Sequence, residues 1–439
     1  MTRLPVARHC NGDWRGSHRD YRSEKMDRPR ALVIGGSLGG LFAAHLLRSI
    51  GWDVAVFERS KADLADRGVG LGTRPELFAV FRRIGIGLDE SIRVEMRSRI
   101  GLDRNGEAIC EVPVRGVVTA WDRIYGALKT ALPSQFYRSG MQLERFEQST
   151  HTVTAIFADG LRIEGDLLIG ADGIHSTVRR QLIPEAKPRY AGYVGWRGMV
   201  EEGDVPVSFR ATVFHHMYFC FPEGELALSV PMAASYGHAH QARRRCQFSW
   251  FRPVDYGIPL RQMCTDASGH CHGESIPPPL IRPELIEELR DSAVASLAPQ
   301  VAALVLRAVQ PILQPIFDLE SPCIAFGRAV LVGDAAFCAR PHVGTGVTKA
   351  ALDAQCLADA LLCAGNDIEA ALMRYDIERR QFGKRLVAYG RYLGRYLEGQ
   401  LKPREARTAA ELHRHPETVM REFGSGGAFD GDPNDPWRS

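Results

Sequence analysis

The chain has 439 residues, 45% hydrophobic and 24% charged, the balance of a soluble globular protein with material for a large core. Disordered and fibrous chains are thereby excluded. The 55 basic and 52 acidic residues leave a net charge of +3, too weak to point to nucleic acid or a membrane surface as partner.

The first thirty residues alternate arginine with acid and contain no apolar core, so no secretory signal is expected. Residues 1–28 lack periodicity and are expected to form a flexible tail, with Met26 as an alternative start. Ten scattered cysteines without a signal segment indicate reduced thiols and a cytoplasmic location. No apolar run has the length of a membrane span.

Residues 31–34 are a short apolar run, expected as a buried strand. The turn Gly35-Gly36-Ser37-Leu38-Gly39-Gly40 follows, then an apolar helix over 41–50 stopped by Gly51. Residues 53–58 form the next strand, ending at Glu58. This is a βαβ opening of a parallel sheet. The turn approximates G-x-G-x-x-G, with Ser37 at the second glycine. Such a turn lets a pyrophosphate approach a helix N-terminus, and an acid closing the next strand accepts bonds from ribose hydroxyls. Taken alone, the same pattern is an ordinary glycine turn.

The texture returns twice: 166–170 lead to Asp172-Gly173, and 329–332 lead to Gly333-Asp334. Between them, 212–221 is expected as one long strand, flanked by strands over 226–230 and 247–251. Helical spacing runs through 283–309. The segment from Gly424 is rich in glycine and proline and is expected to be disordered.

Three strand-end motifs in this order resemble the FAD-dependent aromatic hydroxylases, the group A flavoprotein monooxygenases. The segments that carry the resemblance are 33–41, 166–180 and 330–354. Softer signals are Gly195-Trp196-Arg197-Gly198, Ser249-Trp250-Phe251-Arg252 and Arg340-Pro341-His342, which are similar to the hydroxypyridine-acting members. Val343 and Thr348 depart from the wider family, which has a glycine-richer loop with an asparagine.

The resemblance implies an α/β fold: a Rossmann-like FAD-binding domain of the glutathione-reductase type over 29–189 and 322–400. A largely antiparallel β substrate domain over 190–321 is inserted into it. Residues 401–439 are left as a C-terminal helix and disordered tail. Gly35, Ser37, Leu38, Gly39 and Gly40 would cradle the pyrophosphate, and Glu58 would bind the adenosine ribose. Arg59 and Arg67 would lie near the adenosine and pyrophosphate, and Arg123 would reach the flavin, though an isolated arginine is otherwise a surface charge. Asp172 and Gly173 belong to a motif tied to both FAD and NAD(P)H. Gly333 and Asp334 would meet the ribitol. Gly344, Thr345 and Gly346 open a helix whose N–H groups would face the flavin pyrimidine edge.

The implied chemistry uses NADH or NADPH as a transient reductant and O2 as oxidant, through a flavin C4a-hydroperoxide that attacks a ring activated by a hydroxyl. The substrate is then a small aromatic ring, such as a hydroxypyridine. Candidates beside it are Pro341 and His342 in the flavin loop, and His215 and Tyr218 on the long strand, which otherwise pack within the sheet. No metal site is expected: His270, Cys271, His272, Cys264 and Asp266 fit no common zinc spacing. Arg243-Arg244-Arg245 is expected as a solvated basic loop. Alternatives are an oxidase or hydroxylase of phenolic or bicyclic compounds, and a non-catalytic binding protein of the Rab GDP-dissociation-inhibitor kind. A homodimer is left open.

Overall fold

Residues 31–34 are apolar on both sides because protein covers both faces of the strand they form. In the computed structural model, which describes residues 28–64, 70–88, 93–114, 116–233, 244–365 and 367–425, this strand is β1 (Arg30–Ile34). α1 (Leu38–Ser49) and β2 (Asp53–Glu58) complete the βαβ unit. β3 (Gly70–Thr73), α2 (Pro75–Arg83), β4 (Val94–Met96), β5 (Ser98–Leu102), β6 (Ala108–Val112) and β7 (Gly116–Ala120) lead to α3 (Trp121–Ala131) and β8 (Tyr137–Ser139). A meander of β9 (Leu143–Gln148), β10 (Val153–Phe157) and β11 (Arg162–Gly165) precedes β12 (Leu167–Gly170) and α4 (Thr177–Leu182).

The inserted region opens with β13 (Arg189–Glu201), α5 (Val207–Val213), β14 (His216–Cys220), β15 (Leu226–Met232) and β16 (Arg245–Pro253). It continues through α6 (Ile258–Met263), α7 (Pro283–Ser296), α8 (Pro299–Arg307) and β17 (Ile312–Glu320). The chain returns in β18 (Ala325–Phe326), β19 (Ala329–Leu331) and β20 (Phe337–Cys338). It ends in α9 (Gly346–Ala364), α10 (Ile368–Gly399), α11 (Ala409–Leu412) and α12 (Pro416–Glu422).

The first sheet runs β18-β19-β12-β1-β2-β8 and is parallel except for the β18–β19 pair. Ile34 is level with Gly170, and Gly170 with Leu331. The three glycine–acid turns therefore emerge at one edge, where α/β sheets bind ligands. The second sheet runs β20-β17-β13-β16-β15-β14-β5-β6. It is antiparallel except between β14 and β5, so two of its strands come from residues before the insert. Its two faces build separate cores. Trp196, Phe248, Trp250 and Tyr218 pack on one side with α7 and α8. Tyr193, Phe251, Leu228, Met217 and Phe219 line the other, with Val118 of β7, Leu397 of α10 and Met420 of α12.

Three expectations are corrected. The strand over 212–221 starts only at His216, because α5 occupies 207–213. Val213 and Phe214 bury into the same core, which consecutive strand residues cannot do. The helical stretch 283–309 is two helices, broken where Ala298 precedes Pro299 and is pushed out of the helical region. Arg244 and Arg245 are not a solvated run: Arg244 pairs with Glu202 at 2.7 Å, and Arg245 is buried against Asp122 at 3.0 Å. Arg243, Arg67, the N-terminal segment with Met26 and the segment after Ser425 lie outside the described residues. Among the described residues no helix is long and apolar enough to cross a membrane.

Candidate active site

The turn after β1 is set by crowding. Gly35 has φ +107°, and a Cβ there would stand 2.3 Å from the carbonyl oxygen of Ala171, in the turn after β12. Only glycine allows the two motif turns to touch. Ser37 precedes the first turn of α1, and its hydroxyl makes no cap bond, leaving it and the helix N-terminus open to a ligand. The Glu58 carboxylate is 7% exposed and accepts from Gly36 N–H and Ser60 N–H, each at 2.8 Å. It thus ties the glycine turn to the end of β2. Arg59 is exposed just beyond it.

Ser176 caps α4, and Asp172 accepts from Thr177 N–H in its first turn at 2.7 Å. Burial raises its carboxyl above the ordinary aspartate range. Gly173, with φ +77°, has open space where a side chain would be. At the third turn, the Asp334 side chain is reachable by solvent, yet burial raises its carboxyl too. That combination marks a group lining a crevice within the protein. A charge network fixes its backbone. Lys349 donates to the Gly333 carbonyl at 2.6 Å and pairs with Asp353 at 3.1 Å, while Asp353 accepts from Gly333 N–H at 3.1 Å and from Arg379 at 2.7 Å.

The loop that opens α9 has Pro341 partly buried, Gly344 in the left-handed region, and nothing within 4 Å of where a Gly346 Cβ would be. Among the described residues the Oγ1 atoms of Thr345 and Thr348 are buried without hydrogen-bond partners. Together with the open Ser37 hydroxyl and the crevice carboxylate of Asp334, these fit a long dinucleotide running along the sheet edge to the N-terminus of α9. Arg123 is buried in the first turn of α3, beside the Asp122–Arg245 pair that joins α3 to the second sheet.

His342 does not stand open. It is 1% exposed and shares a 2.7 Å hydrogen bond between Nε2 and the Tyr193 hydroxyl. Its ring packs edge-on to Phe251 at 4.6 Å and to Phe423 at 5.6 Å. Burial, then the charges of Arg340, Arg414 and Arg197, lower it to about 3. The ring is thus a buried imidazole held by Tyr193 and enclosed by aromatic side chains. Its carbonyl accepts from Gly424 N–H at 2.7 Å. Tyr218 faces the helix-covered core, and His215 sits in the turn before β14, so neither joins this group.

Sequence reasoning missed three contributors. The Lys349–Asp353 pair had a signal, two opposite charges four residues apart on an apolar helix. Arg245 had none, because its partner lies 123 residues away. Phe423 lies just before the segment expected to be disordered, of which only Gly424 and Ser425 are described; Arg99 donates to the carbonyls of Met420 and Phe423, and Arg74 to that of Ser425.

Residues 190–318 match a family described as FAD binding domain-like, and residues 323–389 match an FAD binding domain. The chain is 32% identical to 2,6-dihydroxypyridine 3-monooxygenase of Paenarthrobacter nicotinovorans, over 81% of this chain and 88% of that protein. It belongs to the group A FAD-dependent aromatic hydroxylases. The solved structure of 2,6-dihydroxypyridine-3-hydroxylase from Arthrobacter nicotinovorans superposes with a TM-score of 0.79 at 30% identity, covering 87% of this chain and 95% of that one. The 6-hydroxynicotinate 3-monooxygenase of Bordetella bronchiseptica is 26% identical over 82% of this chain and 90% of its own. As a hydroxylase of this family, the protein is an FAD-dependent aromatic monooxygenase.

Proposed function

We propose that this hydroxylase uses NADH or NADPH and O2 to hydroxylate a small N-heteroaromatic ring that already bears a hydroxyl, with a hydroxypyridine as the substrate class. The observation that carries this reading is the 32% identity to the dihydroxypyridine monooxygenase over 81% of this chain. The relative acting on 6-hydroxynicotinate supports the same class of ring.

The bound FAD would supply the redox chemistry, taking electrons from the nicotinamide and activating dioxygen as an electrophilic oxygen donor. The chain does the rest. Gly35, Ser37, Leu38, Gly39 and Gly40 receive the pyrophosphate at the N-terminus of α1, and Glu58 faces the ribose. Asp334, held by Lys349, accepts from the ribitol. Gly344, Thr345 and Gly346 direct the first N–H groups of α9 at the pyrimidine edge, where negative charge grows on reduction. Phe251, Leu228 and Phe423 exclude water that would otherwise divert oxygen to hydrogen peroxide.

The test is reductant oxidation across a panel of hydroxypyridines and phenols, with product identified by mass and hydrogen peroxide quantified. Accelerated oxidation with a hydroxypyridine and a product heavier by one oxygen supports the reading. Stoichiometric peroxide with every ring, and no hydroxylated product, identifies an oxidase instead.

A further inference from the structure

Arg197 and Ser249 stand directly opposite each other on β13 and β16. Their sequence neighbours Trp196 and Trp250, also paired, point into the core under α7 and α8. Alternation therefore turns Arg197 and Ser249 to the other face, shared with Tyr193, Phe251 and Leu228. On one side of the pair lies the Gly195–Phe251 row, where Phe251 meets His342 of the flavin loop. On the other lie Gln247 and then Arg245, whose partner Asp122 adjoins Arg123. The pair sits between the flavin loop and the start of α3, midway along the wall that faces the cofactor.

Both residues have unused donors. Arg197 has no hydrogen-bond or ion-pair partner among the described residues, and its Nε is buried. Burial alone lowers its guanidinium, to about 10, while its tip is partly open to solvent. It is a cation within a crevice, charged at neutral pH, with no carboxylate partner among the described residues. Every other buried arginine on this face has protein acceptors: Arg245 binds Asp122, and Arg99 binds two carbonyls. Ser249 is 4% exposed. Gly70 N–H donates to Gln247 Oε1 at 2.7 Å, which orients the amide so that Gln247 Nε2 donates to Ser249 Oγ at 2.9 Å. The serine hydroxyl proton is then left to point elsewhere. The neighbouring Leu228, Val230 and Phe251 side chains carry no acceptor, and the Met199 sulfur is engaged by Arg245 at 3.7 Å.

We infer that Arg197 and Ser249 form a two-donor recognition site for an anionic oxygen on the substrate ring, the guanidinium meeting its charge and the serine hydroxyl fixing its direction. The inference rests on the hydroxylated-ring reading above. It explains how the enzyme favours the ionised, electron-rich ring: a fixed, largely buried cation stabilises the anion in place. Arg197 is a binding and specificity residue in this account, and Ser249 its orienting partner.

The test uses the FAD-loaded enzyme and follows ring binding through the flavin absorbance spectrum. 2,6-Dihydroxypyridine and other hydroxypyridines are compared with pyridine, which lacks the oxygen. Arg197→Gln is expected to weaken the oxygen-bearing rings about tenfold or more, the scale of one lost charge-assisted hydrogen bond. Pyridine binding and FAD content stay unchanged, and Arg197→Lys restores part of the loss. Ser249→Ala weakens the same rings about threefold to tenfold, the scale of a neutral hydrogen bond. Equal affinity of wild type and Arg197→Gln for hydroxypyridines overturns the pair while leaving the reading of the substrate class intact. Loss of FAD from Arg197→Gln assigns the residue to the cofactor instead and also overturns it. A wild-type enzyme that binds none of these rings overturns the substrate class and the pair with it.

Discussion

Lys349, one turn into α9, donates to the carbonyl of Gly333, the residue before Asp334, at 2.6 Å. The start of α9 and the turn that carries Asp334, proposed above to meet the flavin and the ribitol, are thus locked together by a lysine 1% exposed. Asp353 and Arg379 complete the lock, so the spacing of the two is set by the chain itself.

Lys349→Met is expected to lower stability by about 3 kcal/mol, since removing one member of a buried charge cluster leaves the others uncompensated. Denaturant midpoints of the flavin-free protein measure this, and the same variant purifies with a lower ratio of flavin to protein absorbance. A variant with an unchanged midpoint contradicts the lock.

Asp334→Ala leaves that network intact, so the apoprotein should fold with a wild-type far-ultraviolet spectrum. FAD affinity should fall about tenfold or more, the cost of one buried charge-assisted contact. Titration of apoprotein with FAD by fluorescence quenching gives the value. A fully yellow variant of unchanged affinity counts against the role of Asp334.

His342 predicts an acid sensitivity. Its folded value of about 3 lies below the ordinary 6.5, so between the two the unfolded chain binds a proton that the folded chain refuses. Its share of stability is whole above pH 6.5 and is lost as pH falls toward 3, by up to about 1.4 kcal/mol per pH unit. The midpoint drop between pH 7.5 and 5 should be smaller in His342→Gln than in wild type.

Phe423 closes the wall beyond His342. Its ring contacts Phe219 at 5.7 Å and His342 at 5.6 Å. Phe423→Ala should let water reach the reacting oxygen and raise hydrogen peroxide per reductant consumed about twofold or more, with FAD content unchanged. Peroxide yield measured beside hydroxylated product decides the matter.

The cofactor edge was legible because each of its turns carries its own local instruction. Gly35, Gly173 and Gly333 have positive φ and stand beside helix starts or acids, so glycine placement and strand hydrophobicity coincide within ten residues. The substrate side was less legible because its contacts are long-range. Nothing local in 98–102 announces a partner at 216–220, and nothing local in Arg245 announces Asp122. The alternation across 212–221 fitted a strand as well as a helix followed by a strand, and tertiary packing of Val213 with Phe214 decided between them. Gly424 was misleading in a different way: glycine there serves a close approach, its Cα standing 2.8 Å from where a Gly344 Cβ would be.

The parallel pairing of β14 with β5 ties the insert to its host. Excised at 190–321, the insert would lose β5 and β6 and present β14 as a bare, apolar edge, the kind of surface that draws strands from other molecules. The two sheets are therefore not modules to be exchanged. A chimera that transplants the substrate side must carry residues 98–112 along with it, and the nascent chain must keep that hairpin waiting until the insert has been synthesised.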